Sequence, residues 1–321
     1  MKRKVAVISG ITGQDGAYLA RLLSRQDYII IGLTRSSHNF SKKNFVYLDI
    51  ISDIIIEECD LLDFSSIIKI LIKYKPDEFY NLAAQSSVGI SLEQPIGTLN
   101  YNTQSVLNIL ESVRILQLDT KIYQASSSEM FGKVHSLPVT ELTPMHPLSP
   151  YAISKASGFW IGINYRESYK VFCVNGILFN HESYLRSPNF FVKKVIRTSL
   201  EIKKGLKSEL RVGNIDVKRD FGYAPDYVKA MWLSLQQDKA DDYLICSGTS
   251  IYLRDIINYT LDYLNIPLSK LVEDETLFRP TDMDDMYGDN RKAKEVLGWE
   301  YNRSFFDVLN MLIEEENKNF K

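Results

Sequence analysis

Short apolar runs alternate with helix-periodic stretches through the first half of the chain. Residues 4–9 and 28–34 are continuous β-rich runs, the pattern of strands buried on both faces. Between them, residues 15–26 carry Tyr18, Leu19, Leu22 and Leu23 at helical spacing. Strand-like runs return at 54–58, 78–82, 121–126 and 171–178, and helical ones at 65–74, 98–116 and 151–169. This alternation predicts an α/β fold of βαβ units with right-handed crossovers, giving a doubly wound, mostly parallel sheet with helices on both faces.

The rhythm changes after about Phe179. Gly205, Gly213-Asn214 and Pro267 punctuate shorter elements, and Arg279-Pro280 introduces an acidic loop ending at Asp285. Two late helices are expected. One spans 289–297 and closes on Gly298; the other spans 304–315, with Ser304 at its start and Phe305, Val308, Leu309 and Leu312 on one face. The division expected is a dinucleotide-binding domain over residues 1–182, rejoined by about 222–248, and a smaller C-terminal α/β substrate domain over most of 183–321.

Composition narrows the partners. A length of 321 residues suits about two domains at roughly 150 residues each. Lys and Arg total 38 against 40 Asp and Glu, a net charge of −2. That balance argues against nucleic acid, whose phosphates need a basic excess or face. The longest apolar runs, 28–33 and 50–56, fall far short of the roughly 18 residues of a membrane span. The N-terminus lacks a signal-peptide pattern. Cys59, Cys173 and Cys246 are far apart with no CxxC, so neither a disulfide framework nor a zinc site is expected. His38, His135, His146 and His181 show no metal-ligand spacing. The expected location is the reducing cytoplasm, away from membranes.

Gly10-Ile-Thr12-Gly13-Gln14-Asp15-Gly16 follows the first strand and opens the first helix. Glycine serves where a chain turns sharply and a backbone must approach a pyrophosphate, while the helix N-terminus presents free N–H groups. In that context the turn marks a Rossmann-type dinucleotide site. The second strand ends at Arg35, where a carboxylate would bind the ribose 2′-hydroxyl of NAD; an arginine suits the 2′-phosphate of NADP. Leu82, Ala83, Ala84 and Ser86, after the fourth strand, leave room for a dinucleotide to pass.

Tyr151 and Lys155 stand four apart at the start of a helix, after Pro150. A lysine ammonium beside a phenol is expected to lower the phenol's pKa, which would let it take a hydroxyl proton. Ser126-Ser127-Ser128-Glu129 lies at the carboxyl end of the fifth strand, where ligands of open α/β sheets gather. Ser127 can complete a Ser/Tyr/Lys set. Glu129 adds a group that a simple oxidoreductase does not need, an acid–base for removing a proton and a water.

Together these segments resemble the extended short-chain dehydrogenase/reductase superfamily, and within it the GDP-mannose 4,6-dehydratases. The resemblance covers nearly the whole chain. It is most specific in the run from Asn175 to Ser183 (Asn-Gly-Ile-Leu-Phe-Asn-His-Glu-Ser), and continues in 124–132, 149–155, 213–222, 226–232 and 279–282. It implies Ser127, Glu129, Tyr151 and Lys155 as catalytic residues. It adds Asp60, Leu61, Lys155, His181 and Arg186 as NADP contacts beside the glycine turn. For the nucleotide-sugar diphosphate it implies Asn180, Lys193 or Lys194, Arg219 and Arg279, with Ser86, Glu129 and Asp282 completing the substrate set.

The chemistry implied is an internal redox cycle through bound NADP. Tyr151 takes the C4 hydroxyl proton as hydride leaves C4, Glu129 takes the C5 proton as water leaves C6, and hydride returns to C6. A homodimer or homotetramer is the assembly implied. The chain departs from the family at Tyr184-Leu-Arg186-Ser187, where Pro-Arg-Arg-Gly is usual, at Ser36 in place of a second arginine, and at Asp282 in place of glutamate. A GDP-heptose therefore stands beside GDP-mannose as substrate. An NADPH-dependent nucleotide-sugar reductase or epimerase on the same scaffold is the alternative reading, one that would keep Tyr151 and Lys155 but not need Glu129.

Overall fold

The computed structural model describes residues 3–320. Its strands are β1 (Val5–Ser9), β2 (Ile29–Thr34), β3 (Ile54–Glu58), β4 (Glu78–Asn81), β5 (Lys121–Ser127), β6 (Cys173–Leu178), β7 (Asn180–Glu182), β8 (Leu210–Val212), β9 (Lys218–Tyr223), β10 (Asp242–Ile245), β11 (Ser250–Tyr252) and β12 (Leu271–Glu273). The helices are α1 (Gln14–Arg25), α2 (Lys43–Leu48), α3 (Phe64–Tyr74), α4 (Val88–Glu93), α5 (Pro95–Ile115), α6 (Pro150–Tyr169), α7 (Phe191–Lys203), α8 (Ala224–Leu235), α9 (Leu253–Tyr263), α10 (Arg291–Leu297) and α11 (Phe305–Asn319).

Seven strands form one sheet in the order β10-β6-β5-β4-β1-β2-β3, every neighbouring pair parallel. Strand alternation splits the apolar residues between two faces. Ala6, Ile8, Ile30, Tyr80 and Tyr123 pack towards α1 and α8, while Val7, Ile31, Phe79 and Ile122 pack towards α3 and α5. Close packing across the sheet requires one glycine: a Cβ on Gly176 would lie 1.9 Å from the Tyr123 hydroxyl. Strand order reverses between β1 and β4, and open α/β sheets bind ligands in the crevice at such a switch point.

Beyond β6 the chain builds two small sheets, β11-β9-β7 and β12-β8. A separate apolar cluster there joins Val192 and Ile196 of α7, Ile256 of α9, and Phe305 and Val308 of α11. The stretch 222–248 supplies α8, packed on α1, and then β10, paired with β6. Helix α5 begins three residues before the expected start, because Pro95 at its first position has φ preset for a helix. The last-third strands, three or four residues each apart from β9, carry too little periodicity to be read from sequence. Among the described residues no helix is long and apolar enough to cross a membrane, and no group of three or more His, Cys, Asp or Glu could hold a metal ion.

Candidate active site

The glycine turn sits at the switch point. Gly10 has φ +71°, and a Cβ there would lie 2.9 Å from the Ala83 nitrogen and the Leu82 carbonyl carbon. Ser9 Oγ accepts from the Leu82 and Ala83 amides at 3.2 Å each and donates to Asn81 Oδ1 at 2.7 Å, fixing that approach. Gly13 caps α1 without a side-chain bond, so the first-turn N–H groups remain for an anionic ligand. The Thr12 carbonyl accepts from Asn44 Nδ2 at 2.9 Å, which anchors α2 on the turn.

Gln14 and Asp15 reach across to β7 and the residues that follow it. Gln14 Nε2 donates to the His181 carbonyl at 3.1 Å, and Gln14 Oε1 accepts from Ser183 Oγ at 2.7 Å. His181 Nδ1 lies 2.7 Å from the Phe179 carbonyl, so it carries a proton, and Nε2 faces both Asp15 oxygens at 3.0 Å. Burial disfavours both charges, but the pairing outweighs it. Asp15 is held below the ordinary carboxylate range and His181 above the ordinary imidazole value. His181 also stacks on Tyr227, with ring centroids 4.9 Å apart. Three expected cofactor residues thus join the glycine turn to β7. No local signal announces this, since Asp15 and His181 are 166 positions apart.

The other expected cofactor residues have varied surroundings. Arg35 is exposed just beyond β2. Asp60 is exposed and accepts from the Leu62 amide at 3.0 Å, while Leu61 is buried and its carbonyl accepts from Asn108 Nδ2 at 2.9 Å. Ser86 is exposed, and Leu82, Ala83 and Ala84 are half-buried. The Arg186 guanidinium lies 3.6 Å over the Phe190 ring and 3.5 Å from buried Glu182.

Helix α6 starts at Pro150, with Ser149 Oγ accepting from the Ala152 amide at 3.1 Å. Tyr151 and Lys155 are both buried. Lys155 Nζ donates to the Ala125 carbonyl at 2.8 Å and lies 5.9 Å from the Tyr151 ring centroid. Burial lowers the Lys155 pKa to about 8. Burial also pushes the Tyr151 phenol up to about 12, against a lowering hydrogen bond to Ser127. This corrects the expectation of a depressed phenol. In the protein alone, desolvation of the phenolate, joined by the nearby Glu129 and Asp15 charges, outweighs Ser127 and Arg186.

Ser127 ends β5, and its Oγ accepts from the Glu129 amide at 3.3 Å. Glu129 sits on the one-turn helix Ser128–Met130 and lines a small cavity with Val88, Ser149, Arg279 and Asp282. Arg279 Nη1 lies 4.0 Å from Glu129 Oε1 and 3.7 Å from Asp282 Oδ1. Arg219 also binds Asp282 and donates to the Met283 carbonyl at 2.7 Å. Thr281 Oγ1 donates to the Leu148 carbonyl at 3.1 Å, tying this loop to the approach of α6. Asn180 Nδ2 donates to the Asp220 carbonyl at 3.2 Å. Buried Lys193 is neutralised by Glu316 and donates to the Tyr184 carbonyl at 2.7 Å. Lys194 is half-buried, with its pKa lowered by burial and then by Lys207.

The family described as GDP-mannose 4,6 dehydratase matches this chain over residues 7–312. The chain belongs to that family. GDP-mannose 4,6 dehydratase 2 of Arabidopsis thaliana is 43% identical over 325 residues, spanning 98% of this chain and 87% of the relative. GDP-mannose 4,6-dehydratase of Vibrio cholerae is 40% identical, spanning 93% and 90%. Two solved structures share the fold. DesIV (dTDP-glucose 4,6-dehydratase) from Streptomyces venezuelae superposes with a TM-score of 0.88 at 20% identity, over 98% of this chain and 97% of that one. RMD from Pseudomonas aeruginosa gives 0.83 at 23%, over 98% and 99%. Within this GDP-mannose 4,6-dehydratase family member, Glu129, the Ser149 cap of the helix that carries Tyr151 and Lys155, and the Arg279 loop meet around one cavity.

Proposed function

We propose that this chain is a GDP-sugar 4,6-dehydratase, a hydro-lyase acting on GDP-mannose or a GDP-heptose through tightly held NADP. The observation that carries the reading is a carboxylate, Glu129, whose amide bonds the Ser127 hydroxyl on the same short segment, close enough to Tyr151 for its charge to raise the phenol's pKa, and facing the guanidinium of Arg279. A reductase or epimerase has a use for Tyr151 and Lys155 but none for that carboxylate.

The cofactor fits the residues present. Gly13 leaves α1's first-turn amides uncapped, and the close approach of Gly10 to 82–83 shapes a cradle that a side chain would fill. Arg35 supports the 2′-phosphate, and RMD is a relative in fold solved with NADPH, whereas DesIV was solved with NAD. Bound NADP supplies a hydride acceptor that returns the hydride within one turnover. Residues 1–182 with 222–248 form the cofactor-binding part of this reading, and most of 183–321 the substrate part.

This chain's residues supply the rest. Tyr151 removes the C4 hydroxyl proton, oriented by Ser127, and Lys155 holds the pocket's positive charge. Once C4 is a ketone, the C5 proton is acidic. Glu129 takes it and gives it to the departing C6 hydroxyl as water leaves, so one carboxyl acts as base and then acid; C5 regains a proton as hydride is returned to C6, balanced by the proton Tyr151 took from the C4 hydroxyl. Arg219, Arg279 and Lys194 grip the diphosphate, with the arginine forks exchanging Asp282 for phosphate oxygens. The buried free cysteines accord with a reducing cytoplasm. The exposed Ile153 and Trp160 of α6 and Ile96 of α5 offer a surface for a homodimer or homotetramer.

The test is a panel of nucleotide sugars given to wild type and Glu129→Gln, followed by mass for loss of one water. Wild type is expected to dehydrate a GDP-sugar without net NADPH consumption, and Glu129→Gln to lose roughly 10²–10⁴-fold of that activity. Stoichiometric NADPH consumption, or full activity in Glu129→Gln, would overturn the dehydratase reading in favour of a reductase or epimerase.

A further inference from the structure

Strands β2 and β3 run parallel at one edge of the main sheet, and their register sets Thr34 beside Glu58. These are the carboxyl ends of both strands, where open α/β sheets receive ligands. Arg35 follows Thr34, and it is the only lysine or arginine between Thr34 and Ser41. Glu58 is exposed at this corner and lies outside every set of residues assigned above.

The connection after β2 is built onto that carboxylate. Ser37 donates twice to Glu58 Oε2, from its backbone N–H at 3.0 Å and from its hydroxyl at 3.1 Å. Thr34 Oγ1 donates to the Ser36 carbonyl at 3.0 Å, and Ser36 Oγ accepts from the Asn39 amide at 3.2 Å. Four bonds thus shape residues 34–39 around Arg35. The Ser37 amide, then its hydroxyl, then His38 hold Glu58 below the ordinary carboxylate range, so it is ionised. No lysine or arginine among the described residues offsets this charge. Lys42, the next cation along the chain, lies 5.7 Å from the Phe40 ring centroid instead.

Charge decides what such a corner prefers. A phosphate monoester brings nearly two negative charges at neutral pH, and a hydroxyl brings none. Arg35 attracts a 2′-phosphate, whereas Glu58 repels it from the neighbouring strand. Asp60, exposed two residues further on, adds to the repulsion. The 2′-hydroxyl of NAD meets no such penalty, and a carboxylate accepts its proton readily.

We propose that Glu58 is a cofactor-specificity residue: it opposes Arg35 at the 2′ position and opens the site to NAD, which this chain binds about as well as NADP. The proposal rests on the dinucleotide site of the reading above and deepens it.

The experiment titrates NAD and NADP by calorimetry into the full chain freed of bound dinucleotide, as wild type, Glu58→Gln, Glu58→Lys and Glu57→Gln. Glu57 is the adjoining carboxylate, turned to the other face of β3, where it accepts from Lys73 Nζ at 2.6 Å. Wild-type affinities for the two cofactors are expected within about tenfold of each other. Glu58→Gln removes one charge and should raise the NADP-to-NAD affinity ratio about 3–10-fold at low salt. Glu58→Lys reverses the charge and should raise the ratio about 10–100-fold. Both gains should shrink in about 1 M salt, where screening acts within about 3 Å. Glu57→Gln should keep the wild-type ratio.

An unchanged ratio in Glu58→Lys would overturn the proposal. So would equal weakening of both cofactors in the Glu58 variants, the mark of a loop that merely needs Ser37 tethered. A wild type that binds NADP more than about 100-fold tighter than NAD would overturn it as well. A wild type that binds both cofactors comparably yet dehydrates no GDP-sugar would sink the functional reading alone. One that binds neither would sink the dinucleotide site and this proposal together.

Discussion

Replacing Lys155 with Met separates what this residue does for the site from what it does to the fold. The ammonium is buried, bonded to the Ala125 carbonyl, with its pKa drawn down from 10.5 to about 8. Between those two pH values the unfolded chain holds a proton that the folded protein has released, so stability rises with pH across the window. Below about pH 8 both states hold it, and the folded protein carries the whole penalty of a buried charge. At 1.36 kcal/mol per pH unit the gap corresponds to about 3 kcal/mol. Met keeps most of the apolar stem and removes the charge. The lost hydrogen bond gives back about 1 kcal/mol, and no more, because the Ala125 carbonyl still accepts from Gln124 Nε2 at 3.1 Å. Lys155→Met is therefore expected to be about 2 kcal/mol more stable than wild type at pH 7, with the advantage gone by about pH 10.5 and activity down by roughly 10²–10⁴-fold. Urea unfolding of both proteins at several pH values measures it. A Met variant less stable at pH 7, or a difference that does not change with pH, would refute the reasoning.

Glu78 offers a test at the opposite end of the sheet. Its carboxylate is 1% exposed and accepts from Lys4 Nζ at 3.1 Å, Gln236 Nε2 at 3.1 Å, and the hydroxyls of Tyr28 and Tyr80 at 3.0 and 2.7 Å. Glu78→Gln, which removes the charge and forces Tyr80 to reverse its hydroxyl, should lower unfolding stability by about 2 kcal/mol and Glu78→Ala by about 3–5, with unchanged midpoints in urea counting against the network. Gly10→Ala places a methyl against the backbone of 82–83 at a φ of +71°. NADP affinity by calorimetry should fall at least about tenfold, and unaltered binding would show that the turn does not hold the cofactor.

What could be read from the sequence was whatever one element encodes by itself. Continuous apolar runs such as Ala6-Val7-Ile8 and Ile29-Ile30-Ile31 mark strands buried on both faces, and the helical spacing of Tyr18, Leu19 and Leu22 marks α1, so a doubly wound, mostly parallel sheet follows from chirality and short connections. The glycine turn and the Tyr151–Lys155 pair were readable for the same reason, each lying within a few consecutive residues. The tertiary structure alone decided the rest. It joined Asp15 to His181, set Asn102 between Gln85 and Ser154, and sent Arg219 to Asp282, contacts between residues 17 to 166 positions apart that no periodicity records. It spent Lys193 on Glu316, leaving Lys194, two neighbours indistinguishable in sequence until α11 packs against α7. It also reversed the expected shift of the Tyr151 phenol, because spacing reports which charges are near, whereas the energy of holding a charge depends on how much water the folded chain has excluded.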